Sequence, residues 1–397
     1  MVRRLEESQV RKGNLRYYSI IIKHILLRQT NRLDVKIDRQ RGKVVRAKVC
    51  VIGHFGFGKE MLNGQTIKTK IVTAELEKQL GTEQIVKVDT HGGMRALPRV
   101  MIQTFNAFCH CENIVIFPAH NGLRIFAPIC TVFNSFFHRK LHYVVIGGWL
   151  PEFIQSRKKL AAELRTFDGI YVETSTMKKT LEIDGFRNII IMPNFKDIRV
   201  LTKDELVYPI GEPYKLCTFS RVMKEKGIGD AVEAVKSINR KLGRTAFELD
   251  IYGQIDEGQV EWFDELKASF PEYIRYKGLV PFDGSVEVLK DYFALLFPTR
   301  FFTEGIPGTI IDAYAAGVPV ISAKWESFAD VVDDGVTGFG YQFCNTEELK
   351  SAILKYLILK KDKQKIIKEN CCNKANFYIP KNGIKPLIQE INVRGEK

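Results

Sequence analysis

The stretch FFTEGIPGTIIDAYAAG, residues 301–317, decides how the second half of this chain folds and what it binds. Its two acids, Glu304 and Asp312, flank a Gly-Pro-Gly turn. Pro307 has the fixed φ suited to a first helical turn, and the flanking glycines leave backbone amides open to a ligand. Free amides at a helix start attract phosphate, and acids accept hydrogen bonds from hydroxyls. The pattern therefore indicates a ligand with both groups, such as a nucleotide sugar.

Short apolar runs alternate with longer amphipathic stretches on both sides of this segment, which is typical of repeated βα units and a parallel sheet. A polar stretch at 193–213 separates two series of predicted strands. They lie at 47–52, 84–88, 113–117, 143–146, 169–172 and 188–192, and then at 215–219, 247–252, 274–277, 294–297 and 318–321. The predicted fold class is α/β, with two doubly wound Rossmann-like domains that face an interdomain cleft.

The same patterns predict four segments along the 397 residues. A basic extension at 1–46 precedes the first Rossmann-like domain at 47–205. The second such domain follows at 206–375. A tail helix at 376–397 is expected to pack back toward the first domain.

The positive charge is concentrated at the N-terminus. The formal net charge is +14, but residues 1–48 hold fourteen Lys or Arg and four Asp or Glu, so they carry +10 and the remainder carries +4. Such an arm with an apolar patch can lie on an anionic membrane surface. It can equally be a solvated extension, and the sequence leaves both readings open.

Several classes of protein are not expected from this composition. The body lacks a basic stripe interleaved with exposed aromatic residues, so no nucleic-acid partner is predicted. The chain shows no signal peptide and no window of about 18 apolar residues. Its eight cysteines lack paired zinc-ligand spacing and are expected to be free thiols. A cytoplasmic location is predicted, with a peripheral position at the inner face of the cell membrane as a variant of it.

Two cations follow the first predicted strand of the second domain. Arg221 leaves the strand end, and Lys226 follows before a Gly-marked helix start. Arginine grips phosphate oxygens bidentately and lysine adds a mobile point charge, so the pair suits a diphosphate. Taken alone, the two residues are equally well explained as surface cations on a loop.

Two features follow strands of the first domain. The turn GHFGFG, residues 53–58, is typical of a backbone that approaches phosphate or substrate closely, although it lacks the spacing of a dinucleotide fingerprint. His120 follows the predicted strand at 113–117. It is either a ligand for sugar hydroxyls or a loop histidine without a role.

Taken together, these motifs resemble the family 4 glycosyltransferases, retaining enzymes of the GT-B fold, of the type that serves bacterial polysaccharide biosynthesis. The resemblance covers about residues 215–340 in one order and at similar spacing. Its motifs are 220–227, YG at 252–253, YKGLV at 276–280, FPT at 297–299, the acid pair at 304 and 312, AGVPVI at 316–321 and DDGVTGF at 333–339. The first domain matches more loosely, and residues 1–46 have no counterpart.

The resemblance implies roles in catalysis and in binding the donor diphosphate. Glu304 and His120 are implied as the catalytic residues beside the donor sugar. The residues implied to bind the donor diphosphate are Arg221, Lys226, Gly56 and Gly58. No metal site and no cofactor are implied, and a nucleoside diphosphate sugar serves as co-substrate.

The resemblance also implies the residues that hold the rest of the donor. The loop implied to bind the donor sugar and distal phosphate comprises Gly305, Ile306, Pro307, Gly308 and Thr309. Asp312 is implied as the ribose-binding residue. It stands where the family has a glutamate, one methylene longer, so the helix must approach more closely or a water must bridge.

The activity implied is transfer of a sugar, of the hexosyl type, to an acceptor hydroxyl with anomeric retention. The 47–205 domain is then the acceptor side and the 206–375 domain binds the nucleotide sugar. The acceptor is expected to be a glycan or a lipid-linked molecule in surface polysaccharide or lipid-linked glycan synthesis. The alternative is an inactive GT-B protein that binds a sugar nucleotide as a subunit or regulator.

Overall fold

The computed structural model describes residues 37–38, 43–44, 47–58, 64–281 and 283–392. Contacts divide the chain into two units, Met1–Arg46 and Ala47–Lys397. In the first unit, strands β1 (Ile37–Asp38) and β2 (Lys43–Val44) pair antiparallel. The rest of the predicted basic extension lies outside the described residues.

The second unit begins with a sheet of six parallel strands in the order β4-β3-β5-β6-β7-β8. The strands are β3 (Ala47–Gly53), β4 (Ile85–Asp89), β5 (Cys111–Ile116), β6 (Lys140–Val144), β7 (Gly169–Val172) and β8 (Ile189–Ile191). The helices between them are α1 (Gly64–Leu80), α2 (Leu97–His110), α3 (His120–Phe137), α4 (Leu150–Gln155), α5 (Lys158–Leu164) and α6 (Ser175–Ile183). We call this sheet with its helices the first domain. Its central strands are apolar almost throughout, because helices cover both faces of a parallel sheet.

A second sheet of six parallel strands follows, in the order β11-β10-β9-β12-β13-β14. The strands are β9 (Tyr214–Phe219), β10 (Phe247–Tyr252), β11 (Ile274–Gly278), β12 (Ala294–Phe297), β13 (Val320–Ala323) and β14 (Gly338–Tyr341). Its helices are α7 (Ile228–Leu242), α8 (Val260–Ala268), α9 (Ser285–Leu289), α10 (Gly308–Ala315), α11 (Phe328–Val331), α12 (Thr346–Leu357) and α13 (Lys361–Ala375). We call this part the second domain.

The predicted α/β class with two doubly wound sheets is confirmed, and each predicted strand is present. The strand β14 was not predicted, because its two glycines lower the intrinsic preference for a strand. The single helix predicted over 346–373 is wrong. It is two helices, because Leu349 and Tyr356 of α12 and Cys371 of α13 pack into two different cores.

Each sheet has one point where the strand order reverses. In the first domain the reversal lies between β3 and β5, and in the second it lies between β9 and β12. Ligands of open α/β sheets bind outside the carboxyl ends of the strands at such a point. The segments that leave these four strands, at 54–58, 117–120, 220–226 and 298–304, are therefore the expected lining of a ligand site.

The end of the described chain lies on the first domain. Helices α14 (Pro380–Gly383) and α15 (Lys385–Asn392) follow the second domain. Ile384, Leu387 and Ile391 are buried in one cluster with residues of β3 and β7. The chain thus crosses between the domains twice, and residues 393–397 lie outside the described part.

No helix in the described ranges combines the length and apolar character that a membrane crossing requires.

Candidate active site

A lysine and a glutamate meet at the carboxyl ends of the two central strands of the second domain. Lys226, after β9, places its ammonium group on Oε1 of Glu304, after β12. The hydroxyl of Thr299 donates to the same oxygen at 3.2 Å. The Lys226 and Glu304 side chains are 19% and 17% exposed. A ligand can therefore reach both groups.

The two loops that carry this pair are fastened to each other. Gly227 has a φ of +69°, and a Cβ there would collide with the carbonyl oxygen of Pro298. Only glycine permits this approach at a left-handed φ. Arg300 adds a bidentate ion pair with Asp230, at 2.7 and 2.8 Å. The sequence near 227 therefore fixes the position of Lys226 relative to Glu304.

Arg221, also predicted to bind the diphosphate, lies in the loop after β9. Its side chain is more than half exposed, and its Nη1 is 3.4 Å from Oδ2 of Asp256. Exposed ion pairs of this length contribute little to stability. The guanidinium group can therefore leave Asp256 for a stronger anion at small cost.

Asp312, the predicted ribose-binding residue, lies in a different environment. Both of its oxygens accept from Nζ of Lys196, at 2.6 and 2.7 Å, and Oδ1 also accepts from the hydroxyl of Ser285 at 3.1 Å. The Asp312 side chain is 4% exposed and that of Lys196 14%. Burial raises the pKa of the Asp312 carboxyl, and the charge of Lys196 opposes that rise. A ribose hydroxyl reaches Asp312 only where one of these partners gives way, so its role stays a prediction.

Part of the predicted phosphate loop remains open to a ligand. Helix α10 begins at Gly308 after Pro307, so its first amides have no carbonyl within the helix to bond. The hydroxyl of Thr309 is buried and has no hydrogen-bond partner among the described residues. This helix start thus combines free amides with an unsatisfied hydroxyl, as an anion site requires.

The amide of Ile306, in contrast, is already used. It donates to Oε2 of Glu173, at the end of β7 in the first domain, at 2.8 Å. The other oxygen of Glu173 accepts from Nζ of Lys68 at 2.5 Å, and Lys68 and Glu173 are both buried. The first domain therefore presents a carboxylate to the loop where the sequence predicted a phosphate.

Glu173 and Lys68 were not among the predicted site residues. They are 105 positions apart in sequence, and neither lies in a motif. The one available signal was an acid directly after the apolar strand at 169–172. Gly148 marks the same contact, since a Cβ there would collide with the carbonyl oxygen of Thr303.

The glycine-rich turn of the first domain wraps around a carboxylate. The amides of Phe55, Gly56 and Phe57 donate to Asp89 at 2.9, 3.3 and 3.0 Å. Burial opposes ionisation of Asp89, but these bonds outweigh it and hold its pKa below the ordinary value. The Gly56 amide is therefore engaged within the protein, whereas a Cβ on Gly58 would meet open space.

His120 begins helix α3 at the reversal point of the first sheet. Its ring stacks on Trp149 with centroids 3.9 Å apart and meets Phe153 edge-on at 5.1 Å. Partial burial, with the nearby Arg157 charge, lowers the pKa of His120 below its ordinary value. The imidazole is therefore held neutral and in a fixed plane at neutral pH, which suits a hydrogen bond to a hydroxyl.

Within the described residues, no group of three or more His, Cys, Asp or Glu side chains is placed to hold a metal ion. The predicted metal independence is not tested by this finding.

Comparison with known sequences gives the family of the second domain. Residues 213–358 match the model of the family described as Glycosyl transferases group 1. An uncharacterised glycosyltransferase of Methanocaldococcus jannaschii is 25% identical over 209 residues, 47% of this chain and 51% of the relative. The amylovoran biosynthesis glycosyltransferase AmsK of Erwinia amylovora is 22% identical over 137 residues, 32% of each chain. The chain thus matches about half the length of the first relative and a third of the second.

Comparison with solved structures concerns the fold. Anabaena HepE in complex with UDP superposes with a TM-score of 0.68 at 13% identity, covering 87% of this chain and all of that one. Sucrose-phosphate synthase from Thermosynechococcus elongatus gives a TM-score of 0.67 at 13% identity, covering 86% and 97%. The predicted resemblance is therefore confirmed: this chain carries a glycosyl transferases group 1 domain of the family 4 type on a GT-B fold.

Proposed function

We propose that this protein transfers a glycosyl group from a nucleoside diphosphate sugar to an acceptor hydroxyl with retention of anomeric configuration. The observation that carries the proposal is the partly exposed Lys226–Glu304 pair at the reversal point of the second sheet. The family match over 213–358 supports the class of reaction. The solved neighbour HepE was captured with UDP-glucose, which supports a donor of this kind.

The proposed work of the second domain is to stabilise the leaving diphosphate. When the donor binds, Lys226 exchanges Glu304 for a phosphate oxygen, and Arg221 turns from Asp256 to a second one. The first amides of α10, at Gly308 and Thr309, add hydrogen bonds and the positive end of the helix dipole. Together they neutralise the charge that grows as the glycosidic bond to phosphate breaks.

Glu304 then becomes available to the sugar. Once Lys226 has moved to the phosphate, the carboxylate keeps its bond from Thr299 and has free lone pairs for a sugar hydroxyl. His120, held neutral on the opposite side of the cleft, is proposed as a second contact to the donor sugar. The acceptor hydroxyl attacks from the face the leaving group departs from, and its proton passes to the departing phosphate.

This scheme needs no metal ion and no further cofactor, because side chains and amides neutralise the diphosphate. Catalysis rests on positioning and charge stabilisation. Closure of the cleft around the donor excludes water, which otherwise competes with the acceptor. The Glu173–Ile306 bond shows one contact through which the first domain can hold the donor loop.

We propose a glycan or lipid-linked acceptor and a hexosyl donor sugar, in surface polysaccharide or lipid-linked glycan synthesis. The relatives AmsK, of amylovoran biosynthesis, and WcaL of Salmonella typhimurium, named for colanic acid biosynthesis, support this setting. A cytoplasmic protein that contacts the inner face of the membrane, through residues 1–46 among other parts, fits such an acceptor. No nucleic-acid partner is proposed.

The test begins with donor binding. Thermal shift of the full chain against UDP-, GDP- and ADP-sugars should show stabilisation by one nucleotide class. Lys226→Met should abolish that shift, because it removes the main diphosphate cation. Lys350→Met is the matched control, since Lys350 is 18% exposed and pairs with Glu347 far from the cleft. Failure of every sugar nucleotide to stabilise the wild type contradicts the proposal.

Product analysis then separates the enzyme from its inactive alternative. Wild-type protein with donor and a membrane or glycan extract should form product whose new linkage has the anomeric configuration of the donor. Glu304→Gln should bind donor and form little product. Donor binding without turnover under all acceptors would instead support the inactive, sugar-nucleotide-binding role.

A further inference from the structure

Two neighbouring helices of the first domain lack negative charge. Neither α2, at residues 97–110, nor α3, at 120–137, contains an Asp or Glu, although the chain has 46 such residues. They do contain Arg99 and Arg124, and the sequence His138-Arg139-Lys140 follows α3 directly. This part of the first domain therefore presents a positive potential to solvent.

The same helices expose apolar side chains. Val132 and Phe136, one helical turn apart on α3, are 54% and 64% exposed. Ile102 on α2 is also exposed. A pair of large apolar residues at this spacing lies on one side of its helix, so both face solvent together.

Aromatic contacts join these residues into one surface. Phe105 of α2 meets the rings of Phe133 and Phe137 of α3 edge-on, with centroids 5.6 and 5.5 Å apart. Phe105 is one turn from Ile102, and Phe133 and Phe137 directly follow Val132 and Phe136. The α2–α3 surface, as we call it, therefore comprises Ile102, Phe105, Val132, Phe133, Phe136 and Phe137.

Other exposed apolar residues do not form such a group. Ile183 ends α6, Ile358 follows α12 and Phe377 precedes α14, each among polar neighbours in sequence. Single exposed apolar residues are normal on a protein surface and need no explanation, whereas a contiguous patch marks an interaction site. These three residues serve as matched controls.

We propose that the α2–α3 surface docks on an anionic lipid surface, with Val132 and Phe136 inserted below the headgroups. The charge decides the occupant: arginines and no acids surround the apolar side chains, which complements anionic headgroups. This contact is distinct from the one proposed for residues 1–46, and it does not depend on the donor or on catalysis. It gives the first domain, the proposed acceptor side, a fixed orientation on the bilayer.

The test is sedimentation of the full chain with vesicles of phosphatidylcholine alone or with added phosphatidylglycerol, without donor. The wild type should bind the anionic vesicles and weaken as salt rises, because screening reduces the attraction. Val132→Glu with Phe136→Glu should weaken binding by about tenfold or more, since it removes the inserted apolar area and adds repulsion. Ile183→Glu with Ile358→Glu adds the same charge elsewhere and should change binding by less than about threefold.

Circular dichroism and thermal unfolding show whether both variants are folded, which their exposed positions favour. Three results overturn the proposal: no binding of wild type to anionic vesicles, equal weakening by both double variants, or full binding by the Val132/Phe136 variant. The last result would assign the contact to another part of the chain, such as residues 1–46. A wild-type dimer that the Val132/Phe136 variant converts to monomer would show that a second copy covers the surface, and would also overturn it.

Discussion

Two lysine–carboxylate pairs lie near the start of helix α10, and they differ in burial. In the Lys226–Glu304 pair the side chains are 19% and 17% exposed, and in the Lys196–Asp312 pair they are 14% and 4% exposed. The first pair joins two loops at the cleft, whereas Ser285 completes the second inside the domain. The chemistry is the same, but only the first pair can exchange partners with a ligand. Burial therefore separates a binding pair from a structural one.

Breaking the buried pair should have the largest effect on stability. Asp312→Ala should lower the free energy of unfolding by about 3 kcal/mol, because it removes the carboxylate to which Lys196 and Ser285 donate inside the protein. Urea unfolding followed by tryptophan fluorescence measures this loss. Lys196→Met with Asp312→Leu should cost less than Asp312→Ala, since no charge is then buried. A loss of nucleotide affinity with unchanged stability would instead place Asp312 at the ribose.

Breaking the exposed pair should affect activity and leave stability nearly unchanged. Glu304→Gln should lower kcat by about 100-fold, because the site loses a charge that acts in the transition state. The free energy of unfolding should change by less than about 1 kcal/mol, as for other solvent-accessible ion pairs. Steady-state kinetics and urea unfolding of one preparation check both. A large fall in stability would mean that this pair is structural too.

Lys368 of α13 extends the comparison to a lysine without a carboxylate. It is buried, and its ammonium group has no hydrogen-bond partner among the described residues. Burial lowers the pKa of Lys368 from 10.5 to about 8. Lys368→Met should therefore stabilise the protein by about 2 kcal/mol at pH 7.

The pH dependence of that gain follows from the direction of the shift. Between about pH 8 and 10.5 the unfolded chain holds the Lys368 proton more tightly than the folded protein does. The free energy of unfolding of the wild type therefore rises through this window relative to that of the variant. Thermal unfolding at pH 7 and pH 10 checks it, and a constant difference between the two proteins would contradict it.

Asp330 of α11 is the converse case, a carboxylate held by hydroxyls and amides. It accepts from the backbone and side chains of Ser175 and Thr176, at the start of α6 in the other domain. Burial opposes its ionisation, but these bonds outweigh burial and hold the pKa of Asp330 below its ordinary value of 3.8. The stabilisation is therefore present above that value and lost as the pH falls below it.

Asp330→Asn should have the smallest effect, about 1 kcal/mol at pH 7, because the amide keeps one acceptor. The difference from wild type should shrink as the pH falls from 5 toward 3. Calorimetry over this range checks it. A difference that persists at pH 3 would mean that the hydrogen bonds depend on geometry and not on charge.

The sequence was sufficient for the fold and for one half of the candidate site. Apolar strand runs identify both sheets, and Lys226 and Glu304 lie in motifs that follow the two central strands of the second. Glu173 could not be predicted as a partner of Ile306, because 133 residues separate them and their contact exists only when the domains meet. The burial of Asp312 depends likewise on Lys196, whose position the linker sets.

The two passages of the chain between the domains lie against each other. The amide of Lys196 in the first passage donates to the carbonyl of Tyr378 in the second at 2.9 Å, and a Cβ on Gly383 would collide with the ring of Phe195. The molecule therefore has one double-stranded hinge instead of two separate tethers. Because the side chain of Lys196 also grips Asp312 on α10, a rotation at this hinge pulls directly on the helix that begins the proposed phosphate site. Opening of the cleft and the geometry of that helix start are then mechanically linked.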